Sequence, residues 1–313
     1  MGKRVVAVVG ALALVAAALF VRHALSDRGN GDGGPGAGTD GGHGGPPVVA
    51  CTPDLADICQ ALADDGVIVT GTRTLDLADA AKQPADVDGW ITWSPAPIVA
   101  NYQLDPSGRE GWRSPEALRS APLGLATSDN GRSDLMNASC DLSSPDVGSC
   151  LAQAAADGDV SLGVGGGQEA ESVARLAFLA SDLVDNSGNA DRGAIGAITS
   201  GAPSSGTARE QAISQTRPGL GADVVVGPAP LLREIARSEQ GQTQGLEVKT
   251  EPEMLSVVVA SHGPVDLDKV VEAAGDAKLA DRWAGVGLTD EPPSNRNITA
   301  DAGKLYQVWQ AAP

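Results

Sequence analysis

The chain has three histidines and four cysteines among its 313 residues, and their positions decide which chemistries are open. His23 borders an apolar run, His43 sits among glycines, and His262 follows a β-branched stretch. A Ser-His-Asp triad would have to use His262, and no G-x-S-x-G elbow accompanies it. No G-x-x-x-x-G-K-[ST] occurs, so the phosphate-cradling P-loop is missing. "GVGGGQ" at 163–168 lacks the third glycine of a dinucleotide fingerprint. The sequence therefore offers no catalytic set and calls for no cofactor. The expectation is a binding protein rather than an enzyme.

The glycine run itself is informative. Gly165, Gly166 and Gly167 follow an expected strand and precede a helix expected to start near Gln168 or Glu169. Bare backbone N–H groups at a helix N-terminus suit an anion or a carboxylate. The same glycines also suit a tight strand-to-helix turn. "CTPD" from Cys51 and "WSPAP" from Trp93 are comparable loops after strands. In open α/β sheets ligands bind at the carboxyl ends of strands, where all three loops would lie. Thr52, Ser94 and Ser128 are expected to face the glycine turn across a cleft, with an anionic or carboxylate-bearing solute between them.

The cysteines form two local pairs, 51/59 and 140/150. Four cysteines allow three connectivities, and an exported chain meets oxidising conditions. Cys51–Cys59 and Cys140–Cys150 are the favoured pairs because each closes a short loop. A metal site is not expected, since there is no C-x-x-C and no nearby histidine. "VVAC" at 48–51 looks like a lipobox, where the cysteine would carry lipid. Cys51, however, comes 30 residues after Val21, across a glycine-rich stretch. It reads better as the end of a strand.

The chain ends frame this core. "MGKR" and then the uncharged run from Val5 to Val21 address the membrane. At about 1.5 Å per residue that run makes a helix of roughly 25 Å, the short end of a span. It leans towards an uncleaved anchor with the rest of the chain outside the cell. Ala24-Leu25-Ser26 offers a cleavage site, which would make the protein secreted. Residues 1–26 are thus a signal anchor or signal peptide, and 27–47 a Gly/Pro-rich linker. The formal charge of −18 comes without basic clusters, which excludes a nucleic-acid surface.

Residues 48–313 open strand–helix–strand–helix–strand, which predicts a parallel sheet covered by helices. "APLGLATSDN" and "MLSVVVASHG" are further strands, and "QEAESVARLAFLASDLVDN" is expected to be one long amphipathic helix. This order resembles the extracellular solute-binding proteins of the periplasmic-binding-protein-like type II class. It is similar in particular to the actinobacterial solute-binding domain found with von Willebrand A domains. "VVACTPDLADICQAL", "PADVDGWITWSPAP", "APLGLATSD" and "MLSVVVASHG" with "LADRWAGVGL" carry the likeness. Trp93 departs from it, standing where the family often has a polar residue.

The resemblance implies an α/β fold of two lobes. Lobe 1 would be 48–125 with 256–313, and lobe 2 would be 126–255. It implies a small-molecule solute held between the lobes by Thr52, Asp54, Trp93, Ser94, Thr127, Ser128, Gly166, Gly167 and Gln168. A membrane permease or a surface protein would be the partner. The alternative is an extracellular interaction module that kept the fold without a transport ligand; a cleft plugged by Trp93 would favour it.

Overall fold

The computed structural model describes residues 45–70, 74–82, 86–104, 111–144, 147–166, 169–179, 183–185, 189–200, 206–263, 265–289 and 302–311. The expected membrane segment and most of the linker lie outside them. One seven-stranded mixed sheet carries the fold, in the order β2-β1-β3-β7-β4-β6-β5. The strands are β1 (Val48–Cys51), β2 (Val69–Thr70), β3 (Gly89–Trp93), β4 (Trp112–Thr127), β5 (Leu162–Gly163), β6 (Val224–Pro228) and β7 (Glu247–His262).

The expected parallel sheet is found only at the two flanks. β1 runs parallel to β2 and β3, and β5 parallel to β6. Between them, β3–β7, β7–β4 and β4–β6 are all antiparallel. The cause is the length of β4 and β7. Each has 16 residues, and they pair from Trp112↔His262 to Thr127↔Glu247 with three shifts of register. β3 holds one end of this ribbon through Val257–Ser261, and β6 holds the other through Leu123–Thr127. Residues from 48–125 and from 256–313 therefore share one sheet. At the middle, Ser120 pairs with Ser256, and their buried hydroxyls lie 2.8 Å apart.

The sequence reading caught only the apolar ends of these long strands. "WRSPEALRS" and "EVKTEPE" alternate charged residues and each contains a proline, which hides a strand. Pairing with a long neighbour supplies the hydrogen bonds that local propensity does not promise.

Side-chain packing follows from the sheet. Trp90, Trp93, Trp112 and Trp283 are buried, and each indole N–H has an acceptor. The acceptors are the Leu75, Ala80 and Ala274 carbonyls for Trp90, Trp112 and Trp283, and the Asp54 carboxylate for Trp93. A buried tryptophan can then bury its large ring without an orphaned donor. In β4, Gly124 lets the Ala229–Ala236 helix approach: a Cβ there would sit 2.8 Å from the Ala229 Cα.

Both expected disulfides are present, Cys51–Cys59 and Cys140–Cys150. The Cys51 sulfur is thus engaged with Cys59 and not left for lipid. The Cys51–Cys59 link spans a sequence separation of 8. Chain entropy over so short a loop is worth about 2.5 kcal/mol. Replacing both cysteines by alanine should lower urea-unfolding stability by about that amount. A change well under about 0.5 kcal/mol would mean that the reduced chain already holds this turn.

Candidate functional site

A cavity of about 390 Å³ opens where the two parallel flanks face each other. One wall comes from the segment after β1, as Pro53 and Asp54, joined by Asp76. The other comes from the segments after β5 and before β6: Glu169, Ala170, Glu171, Gly206, Thr207 and Glu210.

Local structure fixes each carboxylate. Thr52, Pro53 and Asp54 start a short 3-10 turn directly after β1, inside the Cys51–Cys59 loop. Asp54 accepts a hydrogen bond from Trp93 Nε1 at the end of β3. Asp76 caps the Leu77–Ala80 helix, accepting from Asp79 N at 2.8 Å. Thr207 and Glu210 form a capping box at the head of the Ala208–Gln215 helix. Glu171 is 6% exposed, and one of its oxygens accepts from Ala208 N at 3.0 Å.

Behind the Glu171 wall lies Arg175, fully buried. It donates to Gln211 Oε1 at 3.0 Å and to the Gly206 carbonyl at 3.1 Å, and stands 3.7 Å from Glu171. Burial pushes the Glu171 carboxyl up to about 7, although Arg175 opposes the shift; Asp54 adds to it. Burial also raises Asp54 against the opposing Trp93 hydrogen bond, and Glu169 against the opposing charge of Arg175. Perturbed carboxyls gathered in one cavity are a feature of functional sites.

The nine residues expected to bind ligand are scattered by comparison. Asp54 lines the cavity. Trp93 is buried behind it and leaves the cavity open. Thr52 and Thr127 are buried at strand ends. The Ser94 N–H donates to the Ser256 carbonyl, and the Ser128 hydroxyl caps the Asp129–Asn137 helix. Gly166 offers its carbonyl to the Glu169 N–H. Gly167 and Gln168 lie outside the described residues.

Two expectations need correction. The long helix after the glycines is one of only seven residues, Ala170–Leu176, and all seven are buried. It packs against β3 and the Ala96–Leu104 and Ala302–Ala311 helices, and Glu171 turns to the cavity. Its head carries Glu169 and Glu171, which would repel the anion expected there. Within the glycine run, Gly165 has a packing role: its φ is +82°, and a Cβ there would meet Ser172 Oγ at 2.3 Å and Arg175 at 2.7 Å. Glu169, Glu171, Thr207 and Glu210 were missed. The T-x-x-E of the capping box was the readable signal for the last two.

No protein-family model matches the chain, and no curated protein matches it. Solved structures do. A periplasmic thiamin binding protein is 10% identical, with 88% of this chain and 98% of that chain covered and a TM-score of 0.50. An ABC transporter solute-binding protein from Agrobacterium radiobacter K84, in complex with ribitol, is 13% identical over 86% and 89%, with a TM-score of 0.45. The sulfate-binding protein SubI from Mycobacterium tuberculosis H37Rv is 11% identical over 83% and 90%, with a TM-score of 0.41. The chain shares the mixed α/β, periplasmic-binding-protein-like fold of the thiamin binding protein.

The raised Glu171 carboxyl makes stability depend on pH. Its folded value, about 7, lies above the ordinary 4.5. The contribution is fully present below about 4.5 and is lost as pH rises through about 7. Glu171→Gln keeps the amide-oxygen acceptor for Ala208 and cannot ionise. Relative to wild type it should gain up to about 3 kcal/mol between those pH values. Urea melts of both proteins across that range test this; a constant difference would show that Glu171 ionises normally.

Proposed function

We propose that this chain is an exported, membrane-tethered solute-binding protein that captures a small molecule between two lobes. Lobe 1 is 48–125 with 256–313, lobe 2 is 126–255, and the β4–β7 ribbon is the hinge. The observation that carries this reading is the open cavity of about 390 Å³ between the segments following β1 and β5. Its volume suits a metabolite-sized ligand, and polar groups converge on it from both sides. Trp93 supports Asp54 from behind and does not fill the space, which favours binding over an interaction module that has lost its ligand. Proteins of similar fold are named for binding thiamin, ribitol and sulfate. Residues 1–26 would hold the domain at the membrane and 27–47 would let it reach a permease or surface partner. Within the fold, the actinobacterial domain found with von Willebrand A domains is the relative we favour.

Native mass spectrometry of the chain purified without denaturation should show a stoichiometric small molecule. Melting in the presence of thiamin, ribitol, sulfate and simple amines extends the test. A ligand at about a hundred times its Kd stabilises by about 2.7 kcal/mol. For a domain of this size that is a rise of roughly 5–10 °C. An empty protein whose melting responds to no compound would count against solute binding.

A further inference from the structure

The charge of the cavity wall says more about the ligand than the fold does. We propose that the solute, on the reading above, is a small organic cation that donates N–H hydrogen bonds, an amine or diamine. Five carboxylates line the cavity: Asp54 and Asp76 on one side, Glu169, Glu171 and Glu210 on the other. Among the described residues, no basic side chain lines it.

Once ionised, carboxylates accept hydrogen bonds and cannot donate them, so a ligand bound above the raised Glu171 value must bring the donors. Two of the five are accounted for by helix ends, Asp76 as a cap and Glu210 in the capping box. The other three carry the argument. Asp54 gives one oxygen to Trp93, and Glu171 gives one to Ala208. The second Glu171 oxygen accepts no hydrogen bond among the described residues, although the side chain is more than nine-tenths buried and lines the cavity. Its nearest cation, Arg175, is 3.7 Å away and turned into the wall by Gln211 and the Gly206 carbonyl. One guanidinium thus stands against three carboxylates, of which Glu171 gives only one oxygen to the head of the Ala208–Gln215 helix.

An anion entering this cavity would meet like charge at low dielectric, where repulsion is strongest. A neutral polyol could donate hydrogen bonds but would leave the charge unbalanced. A cation does both. Burial raises the carboxyls of Asp54, Glu169 and Glu171 despite Arg175, and a bound cation would offset that cost. Binding of a cation should then release protons and weaken as the medium is acidified.

Three four-carbon probes separate charge from shape: 1,4-diaminobutane, 1,4-butanediol and succinate, tested on the full-length chain by calorimetry and melting. The diamine should bind, with affinity lower at about pH 5.5 than at about pH 8. Glu169 is exposed at the rim, so Glu169→Lys should fold normally and weaken diamine binding by about tenfold or more. Glu169→Gln should weaken it less. Succinate or the diol binding as well as the diamine would overturn the proposal, as would unchanged affinity in Glu169→Lys. If ribitol or sulfate binds and no cation does, cation recognition falls while solute binding stands. If nothing binds, both fall.

Discussion

The antiparallel pairing of β4 with β7 is the constraint on which the other elements depend. Neither parallel flank has a sheet of its own large enough to stand alone: β2 and β5 are two residues each. Each flank is completed by a different stretch of the same ribbon. Three register shifts let so long a pair twist without losing its ladder. Near its middle the ribbon buries two hydroxyls against each other instead of a large apolar pair, so little bulk opposes bending there. On the two-lobed reading proposed above, a change of angle at that point would alter the distance between Asp54 and Glu171.

The cavity wall is where local stability and function part company. A carboxylate as enclosed as Glu171 is costly to ionise, and apolar packing would stabilise the same position. Arg175 offsets part of that cost and is itself expensive to enclose. Gly165 makes room for it at a backbone angle few other residues adopt.

The overall class was legible because β1, β3, β6 and the apolar end of β7 are runs of Val, Ile, Ala and Trp beside helices with clear apolar spacing. The cysteine pairing was legible from proximity in the chain. The extent of β4 and β7 was not, since charged alternation and prolines at 115 and 252 mask strands that exist through their partners. Of the site, Asp54 was reached through the family resemblance, in the "CTPD" loop after β1. Glu169 and Glu171 fall in a stretch whose spacing predicts one long amphipathic helix, which singles out neither. Helical spacing reports which residues share a face, and cannot report that both faces are covered.

The Cys51–Cys59 bond encloses the turn that presents Asp54. One wall of the cavity is therefore tied down only after a pair of thiols has been oxidised. For a chain made in a reducing compartment and exported as proposed, the wall is loose at synthesis and fixed after crossing. Affinity would then be switched on by location. The newly made protein would not deplete the cell's own pool of the solute it is built to collect outside.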